Sequence, residues 1–199
     1  MIKDLDLTLK DLITGEADPG GDLAQAKISF SVPDEEWRSA GSGQALNVYL
    51  YDIRENLELR TNERRVERDT GGSVIMTVPP PRVDCAYIIT AWDKGVSSGG
   101  EDKELLEHRL LSQVLVILLN NPKIPANYLQ GLLVGQEPDL PMVSAQKGGL
   151  PEPVEFWNAL GSPLRPSINC VVTISLTPGK SVELPAVQSR VVLYEQQER

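Results

Sequence analysis

The side chains that could do chemistry are few and far apart. His108 is the only histidine, set in Glu107-His108-Arg109. An imidazole base needs a nucleophile within reach and an acid to orient it, and the surrounding sequence marks neither. A hydrolase built on His108 is one reading; a polar residue on a helix face is the plainer one. The two cysteines, Cys85 and Cys170, each sit in an apolar, strand-like run and read as buried free thiols. One histidine and two distant cysteines have no zinc-site spacing, so no metal is expected. Pro178-Gly179-Lys180-Ser181 resembles the end of a phosphate-binding loop, but that motif needs glycine where Ile174 stands. It also needs a helix to follow, to aim backbone amides at phosphate, and Val182-Glu183-Leu184-Pro185 does not begin one; the segment reads as a turn. Carboxylates such as Asp34-Glu35-Glu36 lie in no context that would raise their pKa. Trp37, Trp92 and Trp157 are too scattered for a ligand cage and serve the core or an interface. Neither enzymatic activity nor a cofactor is expected.

One basic cluster stands out: Arg54, Arg60, Arg64, Arg65 and Arg68, interleaved with Glu55, Glu58, Glu63, Glu67 and Asp69. It is either a solvated, self-neutralising loop or an ion-pair surface between subunits, where guanidinium forks fix orientation. The formal net charge is -9. Such a chain repels phosphate backbones and anionic lipid, so nucleic-acid binding and basic-patch membrane docking are disfavoured. No run approaches the roughly 20 apolar residues that cross a bilayer. The N-terminal MIKDLDLTLKDLI lacks an apolar core of signal-peptide length. The expectation is cytoplasmic assembly with no direct membrane insertion.

The elements that must carry these residues are legible in outline. With 41% hydrophobic and 24% charged residues over 199 positions, the chain can build its core without staples. Ile2, Leu5, Leu9, Leu12 and Ile13 recur at helical spacing, giving a short helix that ends before Gly15. Ala26 to Val32 alternates as a strand, and Pro33 to Trp37 is a loop or single turn. Ala45 to Ile53 is the strongest strand and, apolar on both faces, is expected at the sheet centre. Val74 to Val78 forms a strand stopped by Pro79-Pro80-Pro81, and Val83 to Trp92 forms a long one. Glu101 to Leu119 is the main helix. Ten of the fifteen residues from Leu105 to Leu119 are apolar, so much of its surface must be covered. Pro125 opens a second short helix, Leu140 to Val143 a short strand, Pro153 to Leu160 a short helix, and Ile168 to Leu176 another strand. Strands in runs, not in regular βαβ alternation, predict an α+β fold. It is a mixed, mostly antiparallel sheet with one main helix and short helices packed on it. Residues 1–177 form this domain; residues 178–199 form a C-terminal arm with a terminal strand, Val187 to Tyr194.

Several segments resemble a known family. The run LNVYLYDIRENLELR from Leu46 to Arg60 is similar to the signature of the cap, or tube-terminator, proteins of phage-tail-like contractile injection systems. So are Pro80-Pro81-Arg82-Val83-Asp84 with Tyr87 to Trp92, and Glu107-His108-Arg109-Leu110-Leu111. Leu129-Gln130-Gly131 with Gly135-Gln136-Glu137-Pro138 follows, then Phe156 to Gly161 and Leu164-Arg165-Pro166-Ser167, in family order up to about Thr177. The resemblance implies a fold like that of phage tail terminators. It also implies a homo-oligomeric ring, usually six-fold, on the membrane-distal end of an inner tube and sheath. The implied partners are further copies of the chain, the tube protein and the sheath protein, in a particle either released or held at a membrane. On that reading Arg54, Glu55, Arg60, Arg64 and Arg65 are candidates for ring or tube contacts. Val191, Val192 and Leu193 are candidates for a strand shared with the sheath, the alternative being an ordinary edge strand. A soluble adapter that forms no ring is the competing interpretation.

Overall fold

A computed structural model describes residues 1–61, 63, 65–68, 73–77, 79–95, 102–150, 152–176 and 182–185; for 65–68, 73–75, 77 and 182–185 only the backbone is described. The chain opens with α1 (Ile2–Gly15), whose Leu5, Leu9, Leu12 and Ile13 are fully buried. The helix runs through Gly15. That glycine is required by close packing, since a Cβ there would lie 2.5 Å from the ring of Tyr128. Next come α2 (Asp22–Gln25), β1 (Lys27–Ser29) and α3 (Glu35–Ser39). The segment expected as a loop or turn is thus a short helix. Its N-cap Asp34 accepts a 2.8 Å hydrogen bond from the Trp37 amide, satisfying an amide that helix geometry leaves free.

The long strands β2 (Gln44–Glu55) and β5 (Arg82–Asp93) pair antiparallel. Between them lies the hairpin of β3 (Arg65–Arg68) and β4 (Ser73–Thr77). Then follow α4 (Lys103–Asn120), two 3-10 turns (Ala126–Tyr128 and Gly131–Leu133), β6 (Met142–Ser144), α5 (Pro153–Ala159), β7 (Ile168–Ser175) and β8 (Val182–Pro185). The main sheet has the order β1-β2-β5-β7-β6, parallel only between β1 and β2. The fold is α+β with a mixed, mostly antiparallel sheet, as expected. One position differs. The middle strand is β5; β2 lies one place out, covered on its far side by three residues of β1. Both strands are apolar on two faces, and only the pairing partners distinguish them.

A second sheet, β3-β4-β8, is antiparallel throughout. Part of the charged stretch expected as loop is therefore strand, and part of the expected arm pairs back onto β4. Residues 187–194, expected as the terminal strand, lie outside the described residues.

Strand alternation sorts the core into two layers. Val83, Cys85, Tyr87, Ile89 and Ala91 of β5 join the aliphatic cluster with α1 and α4. Ile88 and Trp92 join a smaller aromatic cluster with Trp37, Tyr49, Tyr51, Phe156 and Trp157. Helices thus cover both faces, the arrangement that buries a two-sided sheet. The aromatic layer packs edge to face: Trp37 on Trp92 at 5.8 Å and Phe156 on Trp157 at 5.5 Å between ring centres. The tryptophans are core anchors. Helix α4 is covered less than its composition requires. Leu110, Val114, Ile117 and Leu118 are buried, but Leu105, Val116 and Leu119 are exposed.

Candidate interaction surface

The basic cluster begins where β2 leaves the sheet. A bulge at Tyr51 shifts the pairing, so that Asp52 lies opposite Ala86 and Arg54 opposite Asp84. Arg54 Nε bonds Asp52 Oδ2 at 2.6 Å, with the Arg54 side chain 75% exposed. Arg60 Nη1 lies 3.4 Å from Glu55 Oε1. Both pairs are open to water and contribute little to stability. Each leaves guanidinium N–H groups turned outward.

The turn that joins these pairs is firmly built. The Asn56 amide donates to Arg82 O at 2.8 Å, and its Nδ2 donates to Asp84 Oδ2 at 3.0 Å. Asp84 Oδ1 also accepts from the Thr173 hydroxyl at 2.6 Å. Asn56 Oδ1 accepts from the Leu59 amide at 3.0 Å. One carboxylate thereby clamps β5, β7 and the turn together. The turn in turn displays Leu57, 68% exposed, and Leu59, 50% exposed, beside Ile53 at 47%. Apolar side chains held outward on an ordered turn suit contact with another protein.

The structure pairs Arg60 with Glu55 but Arg54 with Asp52; Arg54 and Glu55 are consecutive strand positions and point to opposite faces of β2, so the candidates share a turn but not one cluster. Arg65 opens β3, described by its backbone alone. Arg64, Val191, Val192 and Leu193 lie outside the described residues. His108 is exposed on α4, with Ser112 Oγ donating to its carbonyl at 2.7 Å. The residue beside it is the structurally engaged one. Glu107 is buried, accepts from the Asp93 amide at 3.0 Å, and forms an ion pair with Arg165. The Arg165 guanidinium lies 3.8 Å from the centre of the Trp92 ring. No periodicity reveals this clamp. Its signal in the sequence is a charged residue on the apolar stripe of α4.

Other titratable groups serve packing. Burial raises both cysteine thiols to about 11, so both stay protonated. Burial also raises Asp6, partly offset by the 2.8 Å hydrogen bond from Tyr87 Oη that anchors α1 to the sheet. Arg82 is buried, and burial lowers its pKa against the pull of Asp84. Among the described residues, no group of three or more His, Cys, Asp or Glu could hold a metal ion, and no helix is long and apolar enough to cross a membrane.

Comparison with known proteins places the fold. Residues 4–189 match the family described as the Pvc16 N-terminal domain. A cryo-EM structure of an extracellular contractile injection system, described as the PVC sheath/tube terminator in its extended state, matches with a TM-score of 0.66 at 21% identity. That match covers 100% of this chain and 64% of the other. A cryo-EM structure of the anti-feeding prophage cap, a tube-terminating cap, matches with a TM-score of 0.66 at 25% identity over 98% of this chain and 62% of the other. The chain thus spans less than two thirds of either protein. A search of curated proteins finds no match. The family resemblance read from the sequence holds over nearly the whole chain, which belongs to the Pvc16 N-terminal domain family and resembles in fold two solved structures described as terminators.

Proposed function

We propose that this chain is a structural cap subunit. Copies of it form a ring, hexameric by the family resemblance, at the distal end of a contractile injection system. The ring stops growth of the inner tube and anchors the last sheath ring. The observation that carries this reading is agreement of the whole fold with two terminator structures. A tube of stacked rings leaves an open polymerisation surface at its end. A terminator matches that surface on one side and does not reproduce it on the other. In this reading the chain acts by fit, and the Glu107–Arg165 pair beside His108 serves to hold elements together.

Arg54, Glu55, Arg60, Arg64 and Arg65 supply ring or tube contacts. Their mixed signs suit a heterologous, closing interface. Residues 1–177 are the body and 178–199 the arm, rooted by the pairing of β8 with β4. Val191, Val192 and Leu193 on that arm exchange a strand with the sheath. The chain assembles in the cytoplasm as part of a phage-tail-like particle.

Deleting the gene in a producing strain tests termination. Particles seen by electron microscopy should carry tubes or sheaths of uncontrolled length, and a normal length distribution refutes the proposal. Charged residues in place of Val191 to Leu193 should loosen sheath attachment with the fold intact.

A further inference from the structure

The helical layer carries a cleft whose chemistry is one-sided. The residues just after α1, together with α2, border the middle of α4 and leave a space of about 350 Å³ lined by Glu16, Asp18, Leu23, Gln113, Val116 and Ile117, among others. Leu23 and Ile117 are buried and form an apolar floor, while Glu16 and Asp18 stand exposed at the rim. The carboxamide oxygen of Gln113 is buried and receives no hydrogen bond, an unmet acceptor that costs stability until a donor arrives. Among the described residues that line the cleft none is cationic, and Arg109, the nearest cation along α4, is held by Asp22 at 3.1 Å. The cleft opens onto the uncovered side of α4. There Leu105, Val116 and Leu119 are each more than half exposed, and with Ser112 they share one helical face.

We propose that this cleft receives an arginine side chain from a partner protein of different sequence, presented on an amphipathic segment that lies along α4. A guanidinium carries five donors and no acceptor, and the cleft offers two carboxylates and an unmet carbonyl oxygen. Its methylene stem passes over Leu23 and Ile117 while its head stays at the acidic rim. Its planar fork serves acceptors set apart from one another, where the ammonium of lysine is a single compact charge. Apolar residues of the same segment cover Leu105, Val116 and Leu119. Charge selects against a second copy of this chain in that role. The chain has a formal net charge of -9, and Arg54 and Arg60 on the turn after β2 are already paired with Asp52 and Glu55. An apolar cleft with an acidic rim on an acidic protein is matched by a basic neighbour, and opposite potentials guide the two together. The inference stands beside the cap reading and does not require a ring.

Two measurements test it. The first titrates the purified full chain with a synthetic helical peptide that has leucines along one face and a single arginine among them. Versions with citrulline or glutamate in place of the arginine serve as comparisons. The arginine peptide should shift the NMR signals of the Gln113 side-chain amide and of the Val116 and Ile117 methyl groups. Citrulline keeps the shape and loses the charge, and should weaken binding about tenfold or more, the scale of one charge-assisted hydrogen bond. Glutamate should abolish it. Glu16→Gln with Asp18→Asn keeps an acceptor for the Tyr128 hydroxyl that Glu16 now holds, so the fold should stand while affinity for the arginine peptide falls by the same factor. No shift at these residues, or equal binding of the arginine and glutamate peptides, overturns the proposal. In the second, Val116→p-benzoylphenylalanine is made in a producing strain, and irradiated particles are digested and read by mass spectrometry. The cross-linked peptide should come from another protein and hold an arginine whose change to alanine removes the cross-link. A cross-link to a second copy of this chain, or to a peptide without arginine, overturns the proposal. Particles that lack the chain altogether overturn the cap reading, and the peptide titration then decides this one alone.

Discussion

At the scale of single residues, the decisive interactions are buried polar contacts that join segments far apart in sequence. Glu107 faces the apolar layer, yet it is satisfied by the Asp93 amide and Arg165. Removing one partner of such a pair strands the other charge. Glu107→Ala should lower unfolding stability by about 3 kcal/mol in denaturant titrations, the low end for buried pairs, because Arg165 keeps some solvent contact. A double-mutant cycle with Arg165→Ala should show clear coupling; additive losses would mean that the pair is not energetically joined. Only one half of this clamp has a signal in the sequence, the charge of Glu107 on an apolar stripe; its partner Arg165 lies 58 positions away and carries none. The thiols were legible, since an apolar strand context already implies burial, and both are fully buried. The tryptophans were half legible: their spacing argued against a cage, but only the packed sheet shows Trp92 between Trp37 and Arg165.

At the scale of elements, the turn after β2 converts a hydrogen-bond network into an exposed shape. Asn56 holds both Asp84 and the Leu59 amide. Asn56→Ala should cost about 1–2 kcal/mol and, in hydrogen exchange, remove protection at the Leu59 amide while β5 stays protected; unchanged exchange at Leu59 would show that the turn holds itself. Long periodic elements were well read. Helices α1 and α4 and strands β2, β5 and β7 all stand near their expected bounds. What periodicity could not supply was the order of strands across the sheet. Strand β2 was expected at the centre from two apolar faces, but β5 has the same pattern and takes the middle. The small sheet was missed for a related reason. Its strands are short, one lies in a charge-rich stretch, and pairing β4 with β8 joins segments about a hundred residues apart. The candidate contact residues were legible as a mixed-charge run; the exposed leucines between them gained meaning only from the fold.

At the scale of the whole molecule, the body and the arm should separate in behaviour. Truncation after Leu176 removes β8 and leaves β3 and β4 as an isolated hairpin, which is marginally stable in water. The five-stranded sheet should keep its exchange protection and its aromatic near-ultraviolet signal, while the amides of β3 and β4 lose theirs. Collapse of the entire fold on truncation would show that the arm belongs to the body. The two sheets also differ in how they carry load. Strand β5 is held on one side by eleven residue pairs with β2 and on the other by eight with β7. Those hydrogen bonds run across the strands, so tension along β5 strains them all in parallel. The β3–β4 hairpin, pulled from its open end, yields one rung at a time. A pulling force therefore meets a stiff clasp in the large sheet and a zipper in the small one, and the small one opens first.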